Sequence, residues 1–311
     1  MTSIKQRIFG ISPDEVTFNR RGFNDGGDQV RRQLERVGLT FLQGYHTSLN
    51  DCAPKSLASR LDATEQEFRG FAYEGAALGL ALLDQLCPWR RNRHCAFLRS
   101  AGGKHTYMVH VGFGWVIGRI PWMRWNIDRA IRRFDPVLRW LAVDGYGFSL
   151  LYFRGRDYSL SGRWLSKLHG YARHAFAQGM GRALWFVEGG DVDRIVDTLG
   201  NFPSLFRADL WSGIGLAATY AGGVDRTTLE HLHTLAGRHQ AQLAQGAAFA
   251  AKARQRAGNE TPHTDLACQV LSGVTSDAAA RITDLTLRLL PDDAEVPAYE
   301  IWRRRIQTEF T

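Results

Sequence analysis

The sequence predicts an all-α protein of tandem helical hairpins: about eight units of roughly 33 residues, forming an α-solenoid or an α/α toroid, with an internal two-fold duplication. Three observations carry this expectation. The first is a repeat: FRGFAYEGAALGLALLD at 68–84 returns as FRADLWSGIGLAATYAG at 206–222, an offset of 138 residues. Phe41, Gln43 and Gly44 likewise fall on Phe176, Gln178 and Gly179 at an offset of 135. The second is a period: glycines in similar surroundings stand at Gly44, Gly75, Gly112, Gly145, Gly179, Gly213, Gly246 and Gly273, in steps of 27 to 37 residues. The third is local: the third residue before each glycine and the residue after it are apolar or Ala, and in seven of eight cases the fourth residue after it is small or modest. These positions share one side of a 3.6-residue helix, so each glycine belongs to a buried stripe. Gly costs about 1 kcal/mol of helix propensity relative to Ala, which close packing by a neighbouring helix must offset.

Taken in order, residues 1–27 read as an N-terminal arm, 28–290 as the repeat domain, with halves near 28–155 and 156–290, and 291–311 as a C-terminal segment. A second helix fits between successive glycine helices. The segments GGDVDRIVDTLGNF (189–202) and GGVDRTTLEHLHTLAG (222–237) show it best, the double glycine ending one helix and an Asp capping the next. Loops fall near Pro54, Pro88, Pro121, Pro136 and Pro203. One stretch, YMVHVGFGWVI at 107–117, alternates strictly and alone would be a strand. The glycine register assigns it to a helix instead.

Composition narrows the class. A chain of 311 residues with 44% hydrophobic and 23% charged content excludes disorder on a large scale. No apolar run approaches the roughly 18 residues of a membrane span, and a cytoplasmic protein is expected. The four cysteines form no CxxC pair and read as reduced thiols, and Cys87, His94 and Cys95 match no common zinc spacing. The net charge of +8 concentrates in WRRNRH (89–94), in the stretch 119–139 and in IWRRRIQ (301–307). Such a surface attracts an acidic partner, but no helix-turn-helix, zinc-finger or RNP signature accompanies it, so nucleic acid is not the expected one.

The residue before each glycine is mostly polar: Gln43, Glu74, Asp144, Gln178, Ser212, Gln245 and Ser272. This row is either a solvated face or a polar ladder on a concave surface or inside a closed ring. In the second case Glu74, His110 and Asp144 are the candidate acid-base residues, with His110 able to titrate near neutrality. Tyr73, Tyr146, Gln178 and Trp211 are the candidate ligand-binding residues, suited to a long unsaturated or aromatic molecule. No GxSxG, Walker, HExxH or Rossmann motif occurs, no aspartate-rich metal motif of a terpene cyclase is present, and no cofactor or metal is expected.

The segments FRGFAYEGAALGLALLD (68–84), DGYGF (144–148), FAQGMGRALWFV (176–187), LAATYAGG (216–223), AQGAAFAAKAR (244–254) and PAYEIWRRRI (297–306) resemble the uncharacterised UnbL-type protein encoded in enediyne warhead cassettes. The likeness runs from about Phe18 to the C-terminus. It implies a role in building the enediyne core beside an iterative polyketide synthase that releases a linear polyene. The implied partners are that hydrophobic polyene or polyyne, the synthase or its acyl carrier domain, and other warhead-cassette proteins. The resemblance carries over no catalytic residue. Two readings stand: an enzyme acting on the polyene through Glu74, His110 and Asp144, or a solenoid that binds the polyene or docks a carrier domain through its arginines.

Overall fold

The computed structural model describes every residue except 1–3, 88, 90, 91, 156–161 and 292–294. Pro88, one of the expected loop positions, Arg90 and Arg91 of the first basic patch, and residue 156 at the expected start of the second half therefore lie outside the described residues. The described chain is helical, with no strand. Seven long helices form the frame: α1 (Asp28–Asn50), α2 (Arg69–Leu86), α3 (Thr106–Arg119), α4 (Trp140–Arg154), α5 (Ala172–Val187), α6 (Arg207–Tyr220) and α7 (Gln240–Ala257). Shorter helices connect them, including Pro54–Asp62, Arg93–Leu98, Val192–Gly200 and Arg226–Ala236. After α7 come α8 (Pro262–Ser272), α9 (Ser276–Thr286) and α10 (Ala298–Thr308).

The alternating stretch at 107–117 is helical, as the glycine register requires. Val109, Val111, Phe113, Trp115 and Ile117 are buried, and so are Met108, His110, Gly112, Gly114 and Val116. A helix covered on every side has no polar face, so its pattern loses the helical period. The double-glycine turns also form as read. Gly189 and Gly190, then Gly222 and Gly223, take positive φ, and Asp191 and Asp225 accept the backbone N–H groups of Arg194 and Thr228 as N-caps.

Consecutive long helices meet through their glycines, two per helix at the centre of the array. A Cβ on Gly145 would stand 2.1 Å from the Val111 carbonyl oxygen on α3, and one on Gly147 would stand 2.0 Å from that of Phe176 on α5. Gly179 and Gly181 repeat the arrangement against Asp144 of α4 and Leu210 of α6, as do Gly213 and Gly215 against Gln178 of α5 and Leu243 of α7. The first glycine of each pair receives the preceding helix and the second receives the following one. Backbone thus packs on backbone at Cα–H···O distance, a contact that any side chain would abolish.

Two positions depart from the expected register. Gly44 faces Ala72 on the following helix, so it plays the part of the second glycine; its first-glycine equivalent is Leu42. Gly273 is not a seam at all: it ends α8 with φ +72° and has no neighbour within 4 Å.

Neighbouring helices run the same way, since Gly75 meets Phe41 and Gly79, one turn later, meets Ser48. Helices four places apart meet end to opposite end. Phe71 near the start of α2 packs edge-on against Tyr220 at the end of α6, and Arg256 at the end of α7 lies over Tyr107 at the start of α3. Reversal in four steps requires about 45° per crossing, close to the roughly 50° of ridge-into-groove packing. The array therefore curls round and closes: Arg254 of α7 donates to the Glu67 carbonyl before α2 at 3.1 Å, and Arg256 to that of Gly103 before α3 at 3.3 Å. The terminal segments are part of this body. Val16 and Phe18 of the arm are buried, the Asn24 N–H bonds the Val187 carbonyl, and α10 turns Tyr299, Trp302, Arg303 and Ile306 inward.

Candidate functional site in the interior

The seam geometry fixes which residues are equivalent. Gly75, Gly112, Gly145, Gly179, Gly213 and Gly246 face the carbonyls of Phe41, Glu74, Val111, Asp144, Gln178 and Ser212 in turn, so these six occupy one layer. The polar residues before the glycines do not form a solvated face: Glu74, Asp144, Gln178, Ser212 and Gln245 are all buried. Gln43 is exposed because its unit is shifted in register, and Ser272 is only half-buried because Gly273 begins no further seam. One helical turn beyond this layer stand Trp115, Phe148, Arg182, Leu216 and Phe249, and one turn further Tyr152, Phe186 and Tyr220. Arg182 is the one charge in that middle level.

The ionic group forms around Arg182. Its Nε lies 3.0 Å from Asp144 Oδ1, out of line for a hydrogen bond, so the attraction is between charges. Gln178 Nε2 donates to Asp144 Oδ2 at 3.0 Å, and the Arg182 guanidinium lies over the Phe148 ring at 5.0 Å. Glu74 Oε1 accepts the Trp115 indole N–H at 2.9 Å. Burial pushes the Glu74 carboxyl up to about 7, against the pull of Arg182 and the indole bond, and with a further push from Asp144. Burial raises Asp144 as well, opposed first by Arg182. Glu74, Asp144 and Gln178 are therefore brought to one interior site.

The other candidates lie elsewhere. His110 packs against Phe134 and donates through Nδ1 to the Thr106 carbonyl at 2.7 Å. Burial lowers its pKa, opposed first by the bond to the Thr106 backbone. Tyr73 belongs to an outer cluster, stacked on His105 at 3.9 Å with its hydroxyl donating to Asp62 at 3.0 Å. Tyr146 sits in the seams, edge-on to Phe176 and beneath Gly118. Trp211 is buried but lines neither interior cavity.

Two cavities occupy the interior. One of about 50 Å³ is lined by Phe41, Glu74, Trp115, Phe148 and Arg182 among others. The second, about 30 Å³, reaches Asp144, Phe249 and Trp302. They share Met108, Arg182, Leu216 and Tyr220. Each has room for one or a few waters. At the α10 end Arg303 is buried, with Nη1 donating to Asp209 at 2.7 Å, Tyr171 at 3.0 Å and Glu300 at 3.1 Å. Its place corrects the reading of 301–307 as a wholly surface patch. Asp209 also meets His174 Nδ1 at 2.8 Å.

Sequence reasoning missed Arg182, Trp115 and the Arg303–Asp209 pair. Arg182 had a signal: four residues after the equivalent position the neighbouring units carry Leu78, Trp115, Phe148, Leu216 and Phe249, all apolar or aromatic. Among the described residues no group of three or more His, Cys, Asp or Glu could hold a metal, and no helix is long and apolar enough to cross a membrane. No curated protein and no solved structure matches the chain. A family model does match it, over residues 1–310, and the chain belongs to that family, described as protein of unknown function (DUF1702).

Proposed function

We propose that the protein binds a linear polyene or polyyne polyketide chain inside the helical ring during enediyne warhead formation, with proton transfer at Glu74 as the means of any modification. The pathway rests on the resemblance of the segments named above. The observation that carries the binding reading is the interior itself, where Trp115, Phe148, Tyr152 and Phe186 surround a buried Arg182 with two carboxylates. Aromatic faces suit a conjugated chain, and a carboxyl with a pKa of about 7 exchanges its proton at physiological pH. Cavities of 50 and 30 Å³ cannot hold such a chain as they stand, so entry displaces aromatic side chains. The test is incubation of purified protein with the synthase-released polyene, followed by mass analysis of both. An unchanged, co-eluting polyene makes the protein a binder; a changed mass makes it an enzyme, and Glu74→Gln or Asp144→Asn then abolishes the change. Absence of both co-elution and conversion refutes the reading.

A second reading, a scaffold that docks the acidic acyl carrier domain of the synthase, draws on a surface observation. Trp122 and Trp125 are 53% and 83% exposed beside the arginines of the 119–139 stretch. Charge reversal at Arg132, Arg133 and Arg304 then weakens carrier association in a salt-dependent manner. Arg303 is excluded from that test because it is buried.

A further inference from the structure

We infer that a polar vestibule between the N-terminal half of α1 and the end of α6 is the mouth of the ring, and that it holds the anionic head of a ligand whose apolar conjugated chain lies inside. The inference rests on the binding reading above and names the ligand class and its orientation.

The vestibule encloses about 370 Å³ and is lined in part by Arg32, Gln33, Arg36, Gly222, Gly223 and Arg254. It shares Tyr220 and Ala221 with the larger interior cavity, so a single side-chain layer separates a polar space from an aromatic one. The positive charges of Arg32, Arg36 and Arg254 face Glu67 and the Arg36 partner Glu65, leaving an excess of positive charge. Arg254 is buried and spends both Nη groups on carbonyls, so it supplies mainly field, whereas Arg32 is exposed and, among the described residues, bonds its own helix through Nε to the Asp28 carbonyl.

The turn at Gly222 and Gly223 adds donors. At the equivalent turn, Gly189 and Gly190 bond their N–H groups to the carbonyls of Phe186 and Trp185 at 3.1 and 2.9 Å. Those of Gly222 and Gly223 have no protein partner among the described residues, although both have positive φ. Successive free amides beside arginines make an anion-binding concavity.

Tyr220 is the ring between the two spaces and lines both. Its hydroxyl stands 1.9 Å from where a Cβ of residue 70 would be, space that exists only because that residue is Gly70, and its ring lies under the Arg254 guanidinium at 4.2 Å. Rotation of this one ring joins vestibule to interior. A head in the vestibule then places its chain past Tyr220 toward Phe71 and Glu74.

The experiment uses the full chain and the fluorescent tetraene parinaric acid, its methyl ester, and parinaroyl phosphopantetheine. The acid carries a free carboxylate and the last a phosphate, so the tighter of the two identifies the source of the negative head. We expect either anion to bind at least about tenfold tighter than the ester, with Arg32→Glu plus Arg36→Glu abolishing the difference while ester binding persists. Equal affinity for all three probes overturns the vestibule and leaves interior binding standing. Loss of ester binding in the double variant also overturns it, because the arginines would then support the fold and not the head. Failure of every probe to bind the wild-type protein overturns interior binding itself, and the vestibule with it.

Discussion

Replacing Glu74 with Gln removes a group that binds its proton more tightly in the folded than in the unfolded chain, and the effect has a definite sign and pH window. In the unfolded chain the carboxyl titrates near 4.5, while in the interior burial takes it up to about 7. Between these values the folded state binds more protons than the unfolded state, so stability falls as pH rises through the window and levels off above about 7. At 1.36 kcal/mol per pH unit of displacement the full penalty is about 3 kcal/mol, most of it arising between about pH 5 and 8. Gln keeps an oxygen for the Trp115 indole and carries no charge, so Glu74→Gln escapes this loss. Urea unfolding followed by tryptophan fluorescence gives the stability of both proteins at several pH values. The variant should gain about 2 to 3 kcal/mol on the wild type between pH 5 and 8. The depressed histidines His94 and His105 act with the opposite sign, destabilising below about 6.5, and cancel in the difference. A wild-type minus variant difference that stays flat with pH refutes the argument that Glu74 is buried and unneutralised.

Two other outcomes test the frame. Gly179→Ala places a Cβ 1.8 Å from the Asp144 carbonyl oxygen and should cost about 1–3 kcal/mol or more, whereas Gly200→Ala, with nothing within 4 Å on an outer helix, should gain up to about 1 kcal/mol; calorimetry of the pair reads opposite shifts in Tm. Arg303→Met takes from Asp209 its arginine, leaving it only the His174 contact while Glu300 keeps Arg304, and should lose about 3–5 kcal/mol, partly recovered by adding Asp209→Asn, and simple additivity in that double-mutant cycle would deny their coupling.

What could be read without coordinates was what local sterics decide. A glycine recurring on an apolar stripe means close helix approach wherever it occurs, and a double glycine followed by Asp means one helix ending and another beginning, so Gly145, Gly213, Asp191 and Asp225 were legible. The pairing of Gly145 with Gly147 was visible but carried no meaning until each was seen to serve a different neighbour. The direction of the ladder was not legible, because it depends on the array closing. On an open solenoid the position before the glycine could face water; in a closed ring the same position is interior, which turned Glu74 and Asp144 into a buried pair. His110 shows the opposite limit. It is next to the ladder in sequence, yet a rotation of about 100° about the helix axis sends it to the aromatic outer layer around Phe134.

The paired glycine seams separate what holds this molecule together from what it presents to a guest. At the paired glycines main chain meets main chain, and the side chains of residues 115, 148, 182 and 249 are not among the nearest atoms. Substitution there changes the interior without placing an atom in the glycine contacts. Homologous rings could thus be retailored to chains of different length or unsaturation by substitutions along two turns of helix, while at Gly145, Gly147, Gly179, Gly181, Gly213 and Gly215 any side chain would meet a neighbouring carbonyl.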